Sequence, residues 1–203
     1  MDYATTHAQL KLLSEAGLPD PRWEYRFTYP ATGIEWLHHR ITPIRLHAGV
    51  PKVVQTQFET ARNLMLYAWF VYEFQTVAEM QVFATLDHAL KLRLAVLDKK
   101  SPGLAGLLRS ASKKGFLLEA REKAHARMCE RQRGQWPGSQ PSPVTPPGEW
   151  FQQIVDSIPD SRNYLAHGGP QLDLTTSLSH LELCADLINS LFPVSDLNTA
   201  NRQ

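Results

Sequence analysis

The sequence predicts an all-α fold: an up-and-down helical bundle with an irregular N-terminal arm and a proline-rich insertion. Two observations predict it. Apolar residues recur at helical spacing across most of residues 51–192, and the runs are punctuated by prolines, glycines and capping residues where helices start and stop. The chain has 203 residues, 43% of them hydrophobic and 20% charged, which is enough to bury a core and excludes a disordered chain. Its formal net charge of +1 excludes a polycation that coats nucleic acid but permits a local basic site.

Residues 4–16 have helical spacing and stop at Gly17, with Pro19 and Pro21 beyond. Residues 22–50 lack a 3.6-residue period, are aromatic (Trp23, Tyr25, Phe27, Tyr29, Trp36), and read as an extended arm or small hairpin packed on the bundle or on a second subunit. From Pro51 to Leu97 breakers are almost absent, yet one helix of that length is out of scale for a compact domain. A break near Tyr72–Gln75 gives two antiparallel helices over 52–72 and 75–98. Phe58, Ala61, Met65, Ala68 and Tyr72 form the buried stripe of the first. Val77, Met80, Phe83 or Ala84, and Leu86 or Leu90 form that of the second.

A turn at Ser101-Pro102-Gly103 leads to helices over 103–113 and 117–133, the latter so charged that it reads as exposed. Residues 134–148 hold five prolines and read as a loop. Helix resumes at 149–157. Ser157 then caps a fresh helix with Pro159 in its first turn, ending at Gly168-Gly169-Pro170. Asp173 or Thr175 caps the last helix, whose apolar stripe runs from Leu178 to Leu191. The organisation expected is residues 1–50 as N-terminal helix and arm, 51–192 as the helical domain, and 193–203 as a flexible tail.

Cys129 and Cys184 are far apart and read as free thiols. The start of the chain lacks the basic and apolar pattern of a signal peptide, and the most apolar run, Leu64 to Tyr72, is much shorter than the roughly 20 residues that span a bilayer. The expectation is a cytoplasmic protein with no membrane partner. His38, His39 and His47 match no ligand spacing, so no metal or cofactor is expected.

The chemistry-bearing segment is Arg162-Asn163-Tyr164-Leu165-Ala166-His167, closed by Gly168-Gly169. Arginine is a permanent cation suited to phosphate, and histidine moves protons near neutral pH. On a helix, positions 162 and 167 diverge by about 140°, whereas Asn163 and His167 share a face. Two such helices, one from each subunit, would bring both sets around one cleft. That geometry favours a composite site in a homodimer.

This Arg-Asn-x3-His form of an Arg-x4-His signature, on a short helix late in an all-helical chain, resembles the HEPN superfamily (higher eukaryotes and prokaryotes nucleotide-binding domains). The apolar helix pair centred on YEFQTVAEMQVFATLDHALKLRL is also similar to bacterial HEPN-like proteins. The similarity covers about residues 51–192. The resemblance implies a metal-independent endoribonuclease acting on RNA, with His167 as acid or base, Arg162 stabilising the phosphate and Asn163 orienting either. It also implies a bacterial phage-defence or toxin–antitoxin setting with an antitoxin or defence partner. Glu79, Lys91 and Arg93 are further candidates for the substrate cleft. The alternative is a non-catalytic HEPN-like module that binds a nucleotide or a protein partner.

Overall fold

The computed structural model describes residues 10–23, 33–96, 102–135, 147–168 and 173–193. Seven α-helices lie among them: α1 (Ile34–Ile41), α2 (Lys52–Tyr67), α3 (Phe74–Leu94), α4 (Leu104–Lys113), α5 (Leu118–Gln135), α6 (Pro147–Ala166) and α7 (Leu174–Leu191). No strand occurs among the described residues. The all-α expectation holds.

α3 is the axis of the bundle, packed against α2, α4, α6 and α7. Its sequence explains that position. Ala78, Val82, Phe83, Leu86, Ala89 and Leu90 are all buried and share one face about 140° wide, broader than a single packing seam. Each large side chain withdrawn from water in this way contributes about 1.5–3 kcal/mol. Polar groups on the same helix are buried with partners, as where Gln75 donates to Ser177 Oγ at 2.7 Å and Thr85 to the Gln81 carbonyl at 2.7 Å. The expected α2 stripe of Phe58, Ala61, Met65, Ala68 and Tyr72 is buried throughout. Val77 is not: it is exposed, because α3 turns Ala78 and Glu79 inward and leaves residue 77 to solvent.

α2 ends at Tyr67, earlier than its apolar run, and the turn before α3 is held from outside. The Asp20 backbone N–H donates to the Trp69 carbonyl, and Trp23 Nε1 to the Ala68 carbonyl, both at 2.9 Å. Asp20 accepts from the Tyr72 N–H at 3.1 Å and from Arg22, whose other guanidinium edge reaches Glu73 at 2.6 and 2.8 Å. Trp23 lies against Tyr72 and Trp69. The helical hairpin is thus closed by three residues of the N-terminal segment, Asp20, Arg22 and Trp23.

Three further expectations change. Of the helix expected over 4–16, residues 4–9 lie outside the described residues, and the rest holds only a 3-10 turn, Leu13–Glu15, with Leu10, Leu12 and Leu13 exposed. Without an apolar partner face that segment has nothing to fold against. Within the expected arm, residues 24–32 lie outside the description, but α1 occupies Ile34–Ile41. Only Leu37 and Ile41 bury on it, so its period is too short to register beside three basic or imidazole side chains. α5 is charged but not free-standing. Leu117 at its entry, with Ala120 and Ala124, is buried, and Arg127 pairs with Glu182 and Asp186 of α7.

α7 begins at Asp173, whose carboxylate accepts from the Thr175 and Thr176 N–H groups. Its stripe packs as expected at Leu178, Leu181, Cys184, Leu187, Ile188 and Leu191, with Leu183 only half-buried. Full burial pushes the Cys184 thiol far up, so it stays protonated and inert. His47 ties the loop before α2 to this helix. Its Nδ1 accepts the Gly49 N–H, which leaves Nε2–H to donate to the Asn189 carbonyl at 3.1 Å. No helix of the described residues is long and apolar enough to cross a membrane.

The clamp at Asp20 generates a prediction. Burial pushes the Asp20 carboxyl up, but hydrogen bonds from Arg22 and from the Arg22 and Tyr72 N–H groups outweigh it and leave it below the ordinary carboxylate range. Arg22 likewise lowers Glu73. Both folded values lie below the unfolded ones, so this stabilisation is complete above about pH 4.5 and is lost as pH falls below about 4. Asp20→Ala is expected to cost about 1–3 kcal/mol in urea unfolding at pH 7 and to flatten the acid limb of the stability profile. An unchanged acid limb would contradict the clamp.

Candidate functional site

The motif helix is one continuous rod. α6 runs from Pro147 to Ala166 with Pro159 in its interior, rather than breaking at Ser157 as the sequence suggests. Ser157 caps nothing: its hydroxyl donates back to the Ile154 carbonyl at 2.8 Å. A mid-helix proline removes one backbone hydrogen bond and crowds the preceding turn. Burial overrides it, because Phe151, Val155 and Ile158 before Pro159 and Leu165 after it all pack into the core. The helix stops where expected, with Gly168 at φ +78°, a left-handed position that favours glycine, and its N–H on the Leu165 carbonyl at 3.1 Å.

Buried positions 151, 155, 158 and 165 step by four, three and seven residues, so residue 162 falls in phase with them. Arginine stands there. Its guanidinium is exposed, donates to Asn163 Oδ1 at 3.1 Å, and has no carboxylate partner among the described residues. In place of core packing, a cavity of about 450 Å³ opens between α6, α3 and the start of α4. Its polar wall is Asp87, Lys91, Arg162 and Asn163, and its apolar wall includes Met80, Phe83, Leu104 and Pro159. Gly103 and Leu104, at the start of α4, also line it, and no side chain caps that helix end. Backbone N–H groups of a first helical turn add to the attraction for an anion. Asp87 and Lys91 cancel, so Arg162 leaves the cavity with one net positive charge.

The sequence candidates separate into those this cavity joins and those it does not. Arg162, Asn163 and Lys91 line it. His167 does not: it sits in the turn just beyond Ala166, exposed, its N–H on the Asn163 carbonyl. Glu79 does not line the cavity. It is fully buried between α3 and α7, with Oε1 2.7 Å from His180 Nδ1. Arg93 lies along Phe116, its guanidinium carbon 4.5 Å from the ring centre. Neither Glu79 nor Arg93 is a wall of the cavity.

Asp87 is the cavity residue that sequence reasoning passed over, since it reads as part of a solvated charged face. A signal existed: Met80, Ala84, Asp87 and Lys91 step by four, three and four residues, which puts two polar groups at the end of an apolar stripe. His88, its neighbour, is elsewhere, with Nδ1 3.0 Å from Gln57 Oε1. Compared with known protein families, curated proteins and solved structures, the chain matches none.

The continuity of α6 is testable. If Pro159 is interior, Pro159→Ala restores a helical hydrogen bond and raises unfolding stability by about 1–3 kcal/mol. A loss of stability instead would mean that Pro159 begins a separate helix, where proline is favoured.

Proposed function

We propose that this protein is a metal-independent endoribonuclease of the HEPN type, working as a homodimer through its motif helices. The observation that carries the reading is the cavity in which Arg162 and Asn163 meet Lys91, next to an exposed histidine one helical turn on. A guanidinium without an acidic partner is free to take a phosphate. The all-α bundle with the motif near the end of its penultimate helix agrees with the resemblance.

In the reaction, the His167 imidazole accepts the proton of a ribose 2′-hydroxyl. The 2′-oxygen bonds to the adjacent phosphorus, the bond from phosphorus to the 5′-oxygen breaks, and that oxygen takes a proton from a second, protonated imidazole or from water. Arg162 offsets charge on the phosphoryl oxygens, and Asn163 holds Arg162 in place. The products are a 2′,3′-cyclic phosphate and a 5′-hydroxyl. Because Arg162 faces the cavity and His167 lies past its rim, the missing imidazole at each phosphate is supplied by the second copy. The resemblance extends the proposal to a cytoplasmic bacterial defence or toxin–antitoxin role, with an antitoxin as partner.

A second reading has one observation in its favour. His167 is absent from the cavity wall, which suits a module that binds a nucleotide without cutting it. Purified protein incubated with total RNA in EDTA separates the two. Cleavage with cyclic-phosphate ends is expected, and His167→Ala and Arg162→Ala are each expected to slow it by about 10²–10⁴-fold. RNA left intact by wild type, or cut equally by both variants, would contradict the nuclease.

A further inference from the structure

We infer that the cavity beside Arg162 is a guanine pocket, in which the Asp87–Lys91 pair reads the Watson–Crick edge of a guanine flanking the bound phosphate. The inference rests on the phosphate-binding role proposed for Arg162. Lys91 Nζ lies 2.5 Å from Asp87 Oδ2, and both side chains are about two-thirds withdrawn from solvent, at 35% and 28% exposed. The other carboxylate oxygen, Asp87 Oδ1, has no partner among the described residues. The pair therefore presents, side by side, an ammonium donor and two carboxylate acceptors. Cytosine offers the same order of one donor and two acceptors to guanine. Guanine answers with its O6 acceptor, its N1–H and its N2–H.

The other bases do not fit that row. Adenine sets a donor amine where the ammonium stands and a bare ring nitrogen against the carboxylate. Uracil has one N–H between two carbonyls, so one carboxylate oxygen meets a carbonyl. Cytosine repeats the pocket's own pattern, and in the flipped orientation it still sets its bare N3 against a carboxylate oxygen. Sites built from buried hydrogen-bonding groups reject analogues that leave those groups unpaired far more strongly than apolar pockets reject shape variants. Single-stranded RNA is read this way, by base edges with the ring face on an apolar or aromatic surface.

The rest of the cavity suits the assignment. Its volume of about 450 Å³ is in the range of pockets for a ligand of nucleotide size. Met80, Phe83, Leu104 and Pro159 supply the apolar surface for the ring face, and Arg162 supplies the phosphate contact from the same cavity. Asp87 and Lys91 are one turn apart on α3, a helix packed against four others, so their backbone positions are set by the scaffold and the ion pair brings their side chains together.

The test titrates the full chain with 5′-GMP, 5′-IMP and 5′-AMP and maps cleavage on RNA oligonucleotides that each contain one guanine. GMP is expected to bind about tenfold or more tighter than AMP, with IMP, which lacks the N2 amine, between them. Asp87→Asn is expected to lower GMP affinity about tenfold and erase the preference, with the thermal melt confirming that the variant folds. Cuts beside the guanine, together with this order of affinities, support the pocket. GMP selectivity in a protein that cuts no RNA also supports it, while ending the nuclease reading. Equal binding of GMP and AMP, or cleavage indifferent to the position of guanine, overturns the pocket and leaves the nuclease standing.

Discussion

α3 buries one broad face along its whole length, and that requirement organises the molecule. A face carrying Ala78, Val82, Phe83, Leu86, Ala89 and Leu90, all withdrawn from water, is too wide and too long for one neighbour, and α2, α4, α6 and α7 pack against this helix. The enclosure is incomplete at one place. On the face carrying Ala84, Asp87 and Lys91, the facing helix brings Pro159, Arg162 and Asn163 instead of bulky apolar groups. The cavity is the gap that those side chains leave open.

Arg162 is the residue that decides this. Its position belongs to the same stripe as Phe151, Val155, Ile158 and Leu165, where an apolar side chain would close α6 onto α3. A long cation at a core position is a local violation of the pattern that stabilises the helix, and such violations cluster where function requires them. The interior proline one turn earlier is a second violation on the same face. Together they single out this end of α6 as the candidate site more clearly than the Arg-x4-His spacing does alone.

Much of the architecture was legible because it rests on period and punctuation. The break after α2, the cap at Asp173, the stop at Gly168 and the α2 stripe all follow from residue type and spacing. What was not legible depended on contacts distant in sequence. The hairpin clamp pairs Arg22 with Glu73 across 51 positions, and no local pattern announces it. α1 was missed because two buried residues are too few to register a period. Pro159 misled because its local preference for a first turn was overridden by burial on both sides. At the site, the motif named Arg162 and Asn163, which the structure brings together on one cavity wall, but it paired Asn163 with His167, which lies outside that wall. It could not show that Glu79 turns inward to His180 or that Asp87 joins the wall, since both depend on how α3 is rotated against its neighbours.

Substituting the arginine by an apolar residue of similar reach tests most directly whether Arg162 trades packing for a phosphate site. Arg162→Leu completes the buried stripe of α6, and urea unfolding beside RNA binding measures both sides of the exchange. The account predicts a protein about 1–2 kcal/mol more stable that no longer retains RNA. A variant that is less stable than wild type, or that binds RNA undiminished, would contradict it.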